Sequence, residues 1–345
     1  MLFSASVSRA ELSIEDTRNL LQESLTISEI DREVARISAE EITVEQKINE
    51  TQHNIEYQNT KVSEAKVHAG KVLRAYYTGD RDKIWMLLLR ADSFSDALSV
   101  YQYLQSIADA DQRAMKRFLA SFRELKQLKQ ELEDRKTNLG ELKAAFIAQR
   151  ERVILLQRQL DDKLAKVDNA DQLRLQMAQL TEAWRKEGLP VFKTYLQAMS
   201  DAMIQLPDYL KENADALEPK GRKSILFHIQ EKPLNAFLRK QDELFERFVF
   251  TMTDQYITIN GTQGKVNITI NGHYAIEKEP EEALRFILDE LIYNGFALPD
   301  TTRADMQKQF SMSFFPKQNS LTASMEVNNV LLKKGQLTIE FSLVQ

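Results

Sequence analysis

Two long heptad repeats, with no proline before Pro190, constrain this chain more than any other feature. Steps of three and four from Ile27 pass through Ile30, Val34, Ile37, Val44, Ile48, Ile55, Val62, Ala69 and Val72 to Tyr76. Glu41, Thr51 and Gln58 are the polar interruptions. An apolar period of 3.5 residues kept for about seven heptads is a coiled-coil seam. A second repeat runs from Phe118 through Leu125, Leu128, Leu132, Leu139, Leu142, Phe146, Val153, Leu156 and Leu160 to Val167. Each arm covers about 49 residues, roughly 73 Å of helix. Equal arms suit an antiparallel hairpin within one chain, whereas a parallel homodimer would leave the matched lengths unexplained. The hairpin predicts Tyr76 opposite Phe118 and Ile27 opposite Val167. One arm uses β-branched seam residues and the other Leu, so a thin layer faces a thick one.

The repeat lapses between the arms, and residues 77–117 are predicted to form a helical tip. Thr78-Gly79-Asp80 is a turn signal. An apolar run follows from Ile84 to Leu89, and Ser93 and Asp96 have the spacing of a capping box. Tyr76, Tyr77, Trp85, Phe94, Tyr101 and Tyr103 crowd this short segment. The seam does not need them, and aromatic side chains commonly anchor interfaces. The candidate partner-binding residues are therefore Tyr77, Trp85, Met86, Leu89, Phe94, Leu98 and Tyr101. Half of the tip aromatics are expected to pack inside the tip and half to face a partner.

The order Leu73-Arg74-Ala75-Tyr76-Tyr77-Thr78-Gly79, Leu87-Leu88-Leu89, Asp92-Ser93-Phe94-Ser95-Asp96-Ala97-Leu98, then Leu104 and Ile107, resembles the coiled-coil domain of the PcsB/EnvC group of bacterial peptidoglycan-hydrolase regulators. The resemblance covers about residues 15–168. It implies a hairpin outside the membrane whose distal helices dock on an FtsX-like subunit of a transporter-type membrane complex. It also implies a hydrolase, or a hydrolase activator, after the hairpin. There this sequence departs from the group, because its four histidines, His53, His68, His228 and His273, form no H-x-H pair.

Residues 1–14 read as the remnant of a signal peptide or as a frayed start. Residues 169–246 read as a helical connector, interrupted at Gly188-Leu189-Pro190 and loosest between Asn213 and Gly221. From residue 247 to 345 the period changes to two. Strands are predicted at 256–259, with a turn over Asn260 to Gly264, then at 266–270, with a bulge at Gly272. A helix is predicted from Pro280 to Gly295, buried through Ala283, Leu284, Ile287, Leu288 and Leu291, with a short helix capped by Asp300 or Thr301 after it. Further strands follow at 312–315 and 321–327, and from Leu337 beyond the turn Lys333-Lys334-Gly335. The fold class is mainly α: a long antiparallel coiled-coil hairpin with a small helical tip, a helical segment, and a small α+β domain. The domain's antiparallel sheet is expected to have about five strands and one main helix against a face.

A net charge of −5 supplies no basic footprint for non-specific nucleic-acid binding. The absence of cysteine excludes disulfides, thiol catalysis and thiolate metal sites. No phosphate-cradling loop, nucleophile elbow or zinc-protease motif occurs. His273 reads as a surface or edge residue. Glu277, Glu279, Glu281 and Glu282 read as a solvated helix N-terminus favoured by the dipole. The sequence calls for no catalytic residue, metal or cofactor. It points to a non-enzymatic, extracytoplasmic adaptor in cell-envelope remodelling, with a membrane protein at the tip and a cell-wall hydrolase as a further partner. Two other readings stand beside it. One is a cytosolic structural tether, and the other is a carrier of an apolar or lipid ligand in the C-terminal domain.

Overall fold

The computed structural model describes residues 13–205, 209, 213–221, 223–279, 281–318 and 324–343. The start read as a signal remnant lies outside them, apart from its last two residues. Contacts divide the chain into two compact units, Ala35–Ala148, and Met1–Val34 with Gln149–Gln345.

Helix α1 (Ile14–Tyr77) opens on Ser13, whose hydroxyl accepts from the Asp16 amide at 3.0 Å. A capped end and no proline leave nothing to stop the helix for 64 residues. Helix α2 (Asp80–Leu89) and helix α3 (Phe94–Leu164) follow. Within the first unit, α1 and α3 form the hairpin. The heptad seam is buried where the spacing places it, at Ile37, Val44, Ile48, Thr51, Gln58 and Ala69 on α1, and at Leu125 on α3.

The register of this unit differs from the equal-arm expectation. Gln58 donates to the Ser121 carbonyl at 3.2 Å and to the Glu124 carboxylate at 2.8 Å. That sets Gln58 against a stretch of α3 roughly 20 Å nearer the tip than matched arms would. Phe118 therefore does not lie opposite Tyr76, which is exposed. The cause is α3, which starts at its Ser93 cap and runs unbroken into the second arm. Residues 94–117 belong to the arm, and the tip proper is only 78–93. Leu104 and Asp111 continue the seam at heptad spacing and are buried. The charge at Asp111 hides the repeat in the sequence. Spin labels at Lys61 and Leu119, both exposed, test this register in a chain that has no native thiol. They should report a short distance within one molecule, unchanged on dilution with unlabelled protein. Matched arms would add roughly 20 Å of axial offset.

In the second unit, Leu20, Ile27, Leu160, Leu164 and Val167 form one apolar cluster with Leu173 and Met177, as expected for the base of the hairpin. Helix α4 (Ala170–Ala183) passes through a π-helical turn, Trp184–Gly188, into α5 (Leu189–Ile204). Gly188-Leu189-Pro190 does not interrupt the path. Pro190 follows directly on the π turn, whose last bond runs from the Leu189 amide to the Trp184 carbonyl, and it brings no amide of its own to the ladder. The rest of the presumed connector is partly sheet. Strands β1 (Leu217–Lys220) and β2 (Ser224–Gln230) precede α6 (Glu231–Gln241).

Among the described residues the remaining strands and α-helices are β3 (Phe248–Met252), β4 (Ile257–Gln263), β5 (Val266–Glu277), β6 (Ala283–Tyr293), β7 (Phe296–Ala297), α7 (Asp300–Gln309), β8 (Ser313–Phe314), β9 (Met325–Lys333) and β10 (Gln336–Leu343). They form two antiparallel sheets instead of the one expected. Their orders are β1-β2-β10-β9 and β3-β4-β5-β6-β7, with β8 also on β6. Both sheets and α5 contribute to one core, with Phe227 and Ile339 from the first sheet, Ile259 and Phe286 from the second, and Phe192 and Tyr195 from α5.

Two local predictions fail for stated reasons. The helix from Pro280 to Gly295 is instead strand β6, with Pro280 itself outside the described residues. Asn271 faces Glu290 and Gly272 faces Leu288, so Asp289 is an extra residue in the ladder. This bulge breaks the alternation Leu284, Phe286, Leu288 and restarts it at Leu291 and Tyr293. Leu284, Leu288 and Leu291 then mimic helical spacing. Gly272 does mark the bulge, although the inserted residue lies on the partner strand. The turn expected over Asn260 to Gly264 is confined to Gly264 and Lys265. Gly264 takes the positive φ of 62° that a tight hairpin needs, and Gly261 is a strand residue.

Candidate partner-binding tip

The tip starts where α1 ends. The Thr78 hydroxyl donates to the Arg74 carbonyl at 2.9 Å or to the Asp80 carboxylate at 2.7 Å. Gly79 turns the chain at φ 72°, a backbone state that costs glycine nothing. Hydrogen bonds from Thr78 and then from Lys83 hold the Asp80 carboxyl below its usual range. After α2, the Ser93 hydroxyl accepts from the Asp96 amide at 3.1 Å and donates to the Asp96 carboxylate at 2.6 Å. That is the capping geometry the sequence predicts, and it fixes the start of α3.

Between and beside these two anchors most of the described apolar side chains face solvent. Tyr77 is 93% exposed, Leu89 85% and Phe94 86%. Met86, Leu87, Leu98, Tyr101 and Tyr103 are exposed as well. The Trp85 side chain lies outside the described residues. The expectation that half of the aromatics pack inside the tip is not met. Tyr76, Tyr77, Phe94, Tyr101 and Tyr103 are all exposed, because the tip proper is a single ten-residue helix with too few neighbours to cover them. Phe94, Leu98 and Tyr101 follow one another at i, i+4 and i+7 and share one face of α3. Met86, Leu87 and Leu89 surround the end of α2. A helix that is apolar on several sides needs cover from outside itself.

Several ionisable groups elsewhere are held in pairs. His273 lies on β5, which is interior to its sheet and not at an edge, and its Nδ1 is 2.6 Å from the Asp289 carboxylate at the bulge. His228 contacts Thr338 and Glu218, each at 3.0 Å. The acidic run at 277–282 does not precede a helix, so the dipole account fails. Glu277 pairs with Arg285, and buried Glu282 accepts from the Val327 amide at 2.8 Å. Among the described residues no three His, Asp or Glu gather as metal ligands, and no helix is long and apolar enough to cross a membrane.

Sequence reasoning missed the polar seat at the foot of α1. Buried Glu29 accepts from the Thr302 hydroxyl at 2.8 Å and pairs with Arg32 at 3.0 Å. The Gln22 side chain accepts from the Ala297 amide at 2.8 Å and donates to its carbonyl at 2.5 Å. These contacts fix α1 to the strand β7 and helix α7 region. Glu29 lies off the heptad positions Ile27 and Ile30, where a charge is ordinary in a coiled coil, so the sequence carried no signal for the seat. No family model matches this chain, and no curated protein is similar to it.

Proposed function

We propose that this protein is a non-enzymatic adaptor of the bacterial cell envelope that works outside the cytoplasmic membrane. Its tip docks on an FtsX-like membrane protein, and its C-terminal domain holds or regulates a cell-wall hydrolase. The observation that carries the reading is the uncovered apolar surface of α2 and the first turns of α3, at the end of a hairpin and between two well-capped helix ends. The segment that exposes this surface is also the one whose ordered residues, from Leu73 through the Leu triplet to Ser93-Phe94-Ser95-Asp96, resemble the PcsB/EnvC coiled-coil domain. Its aromatic and long aliphatic side chains are the types that anchor interfaces.

The full chain, used as bait on detergent-solubilised membranes of its own source, should capture an FtsX-like membrane protein. The pure protein should release no soluble muropeptide from cell-wall sacculi, with or without added zinc. Capture of cytosolic proteins alone would favour the structural tether, and muropeptide release that tracks the protein would make it an enzyme.

A further inference from the structure

We propose that the core of the second unit holds a binding site for the alkyl chain of a neutral lipid, with an uncharged head oxygen of that lipid taking a hydrogen bond from Tyr274. A cavity of about 70 Å³ lies between the inner faces of the two sheets, α5 and α6. Ile229 and Ile339 line it from one sheet and Ile259 and Phe286 from the other. It holds several times the roughly 10–15 Å³ that one water needs. It is well below the roughly 300 Å³ at which pockets for drug-sized ligands begin. A slender chain suits it and a fused-ring ligand does not.

The lining chemistry narrows the class further. Among the described residues that line the cavity, Tyr274 alone carries a hydroxyl, and none carries a charge. Water has too few partners there to fill the space, and an empty apolar space forfeits packing contacts on every wall. Met199, Met203, Met252 and Met312 all reach it. Unbranched thioether side chains repack at low cost, so the cavity can lengthen around a chain. Among the described residues the Tyr274 hydroxyl donates to the Met203 sulfur alone, at 3.2 Å, and a thioether is a weak acceptor. An ester, ether or alcohol oxygen is a better one. Burial pushes the Tyr274 pKa up, so the group stays a donor. A carboxylate head would enter a space with no cation to meet it. This site is independent of the tip and of the partner proposed there.

The test uses the full chain labelled with ¹³C at its methionine methyl groups, assigned through single Met→Leu variants. Methyl octanoate should move the resonances of Met199, Met203, Met252 and Met312 and leave Met86 and Met115 in place. Octane and octanoate should bind more weakly than the ester. Tyr274→Phe keeps the ring, and its fold is checked by circular dichroism. It should weaken ester binding about fivefold, the effect of one ordinary hydrogen bond, and leave octane binding unchanged. The ester-linked chain is common to free esters and membrane lipids. Shifts of the same four methyls with phosphatidylcholine vesicles would name the membrane as its source. The proposal is overturned if the four methyls stay still in folded protein at millimolar ester, if octanoate binds as tightly as the ester, or if Tyr274→Phe has no effect on ester binding.

Discussion

Phe94→Glu combined with Leu89→Glu should abolish capture of the proposed membrane partner while the protein stays folded. Both side chains are almost fully exposed, so neither is held by the hairpin's own packing. Substitutions at such positions usually change stability by less than about 0.5 kcal/mol. Phe94 also begins α3, where an added carboxylate is favoured by the helix dipole. A central interface anchor, by contrast, typically carries about 2 kcal/mol or more, so losing one weakens binding roughly 30-fold. Two carboxylates placed in a desolvated contact should exceed that. The measurement is a pair, the dissociation constant for the captured partner and the thermal midpoint. A midpoint that falls along with binding would make the stripe part of the hairpin's core. Unchanged binding in a folded variant would place the partner site elsewhere.

Three glycine-to-alanine changes should divide by sign. At Gly261 an added Cβ would lie 2.2 Å from the Phe248 ring. That ring is buried and stacked on Tyr195 with centroids 3.5 Å apart, so it cannot retreat. At Gly272 the Cβ would lie 2.4 Å from the Phe286 ring and 2.5 Å from the Ile287 carbonyl oxygen. Backbone in the ladder is harder to move than a side chain. Each change should cost about 3 kcal/mol, the upper part of the range for overpacking. That corresponds to a midpoint lower by roughly 6–12 °C for a unit of this size. Gly140→Ala is the control. It lies inside α3 with nothing within 4 Å of the new methyl, and it should stabilise by about 0.5–1 kcal/mol because alanine loses less entropy in a helix. Thermal unfolding of the three variants decides the matter, and a tolerated Gly261→Ala would mean that Phe248 can repack.

The hairpin was legible because a long apolar period needs no distant information. Ile37, Val44, Ile48 and Leu125 could be placed by counting. The second unit was less legible, for reasons that individual residues show. Ser224–Gln230 is a short apolar run, and such a run does not distinguish strand from helix by period alone. Its partner β10 lies far along the chain. In β6 one inserted residue, Asp289, turned alternation into apparent helical spacing. At the tip, composition announced Tyr77, Phe94 and Tyr101. Which of them would be covered depended on how far the capped α3 runs, and so on a register that Asp111 concealed. The cavity had no sequence signature, because its walls are ordinary core residues from elements whose pairing was not evident.

The pairing of β2 with β10 also orders events during folding. His228 and Thr338 lie side by side, 110 residues apart in the chain. Until β10 is in place, β2 has an open edge and one wall of the shared core is missing. The helices, with contacts close in sequence, can form early, whereas this sheet must wait. An unpaired edge strand is a template for aggregation. The folding chain is therefore most exposed to aggregation while Ser224–Gln230 is formed and Gln336–Leu343 has yet to pair with it.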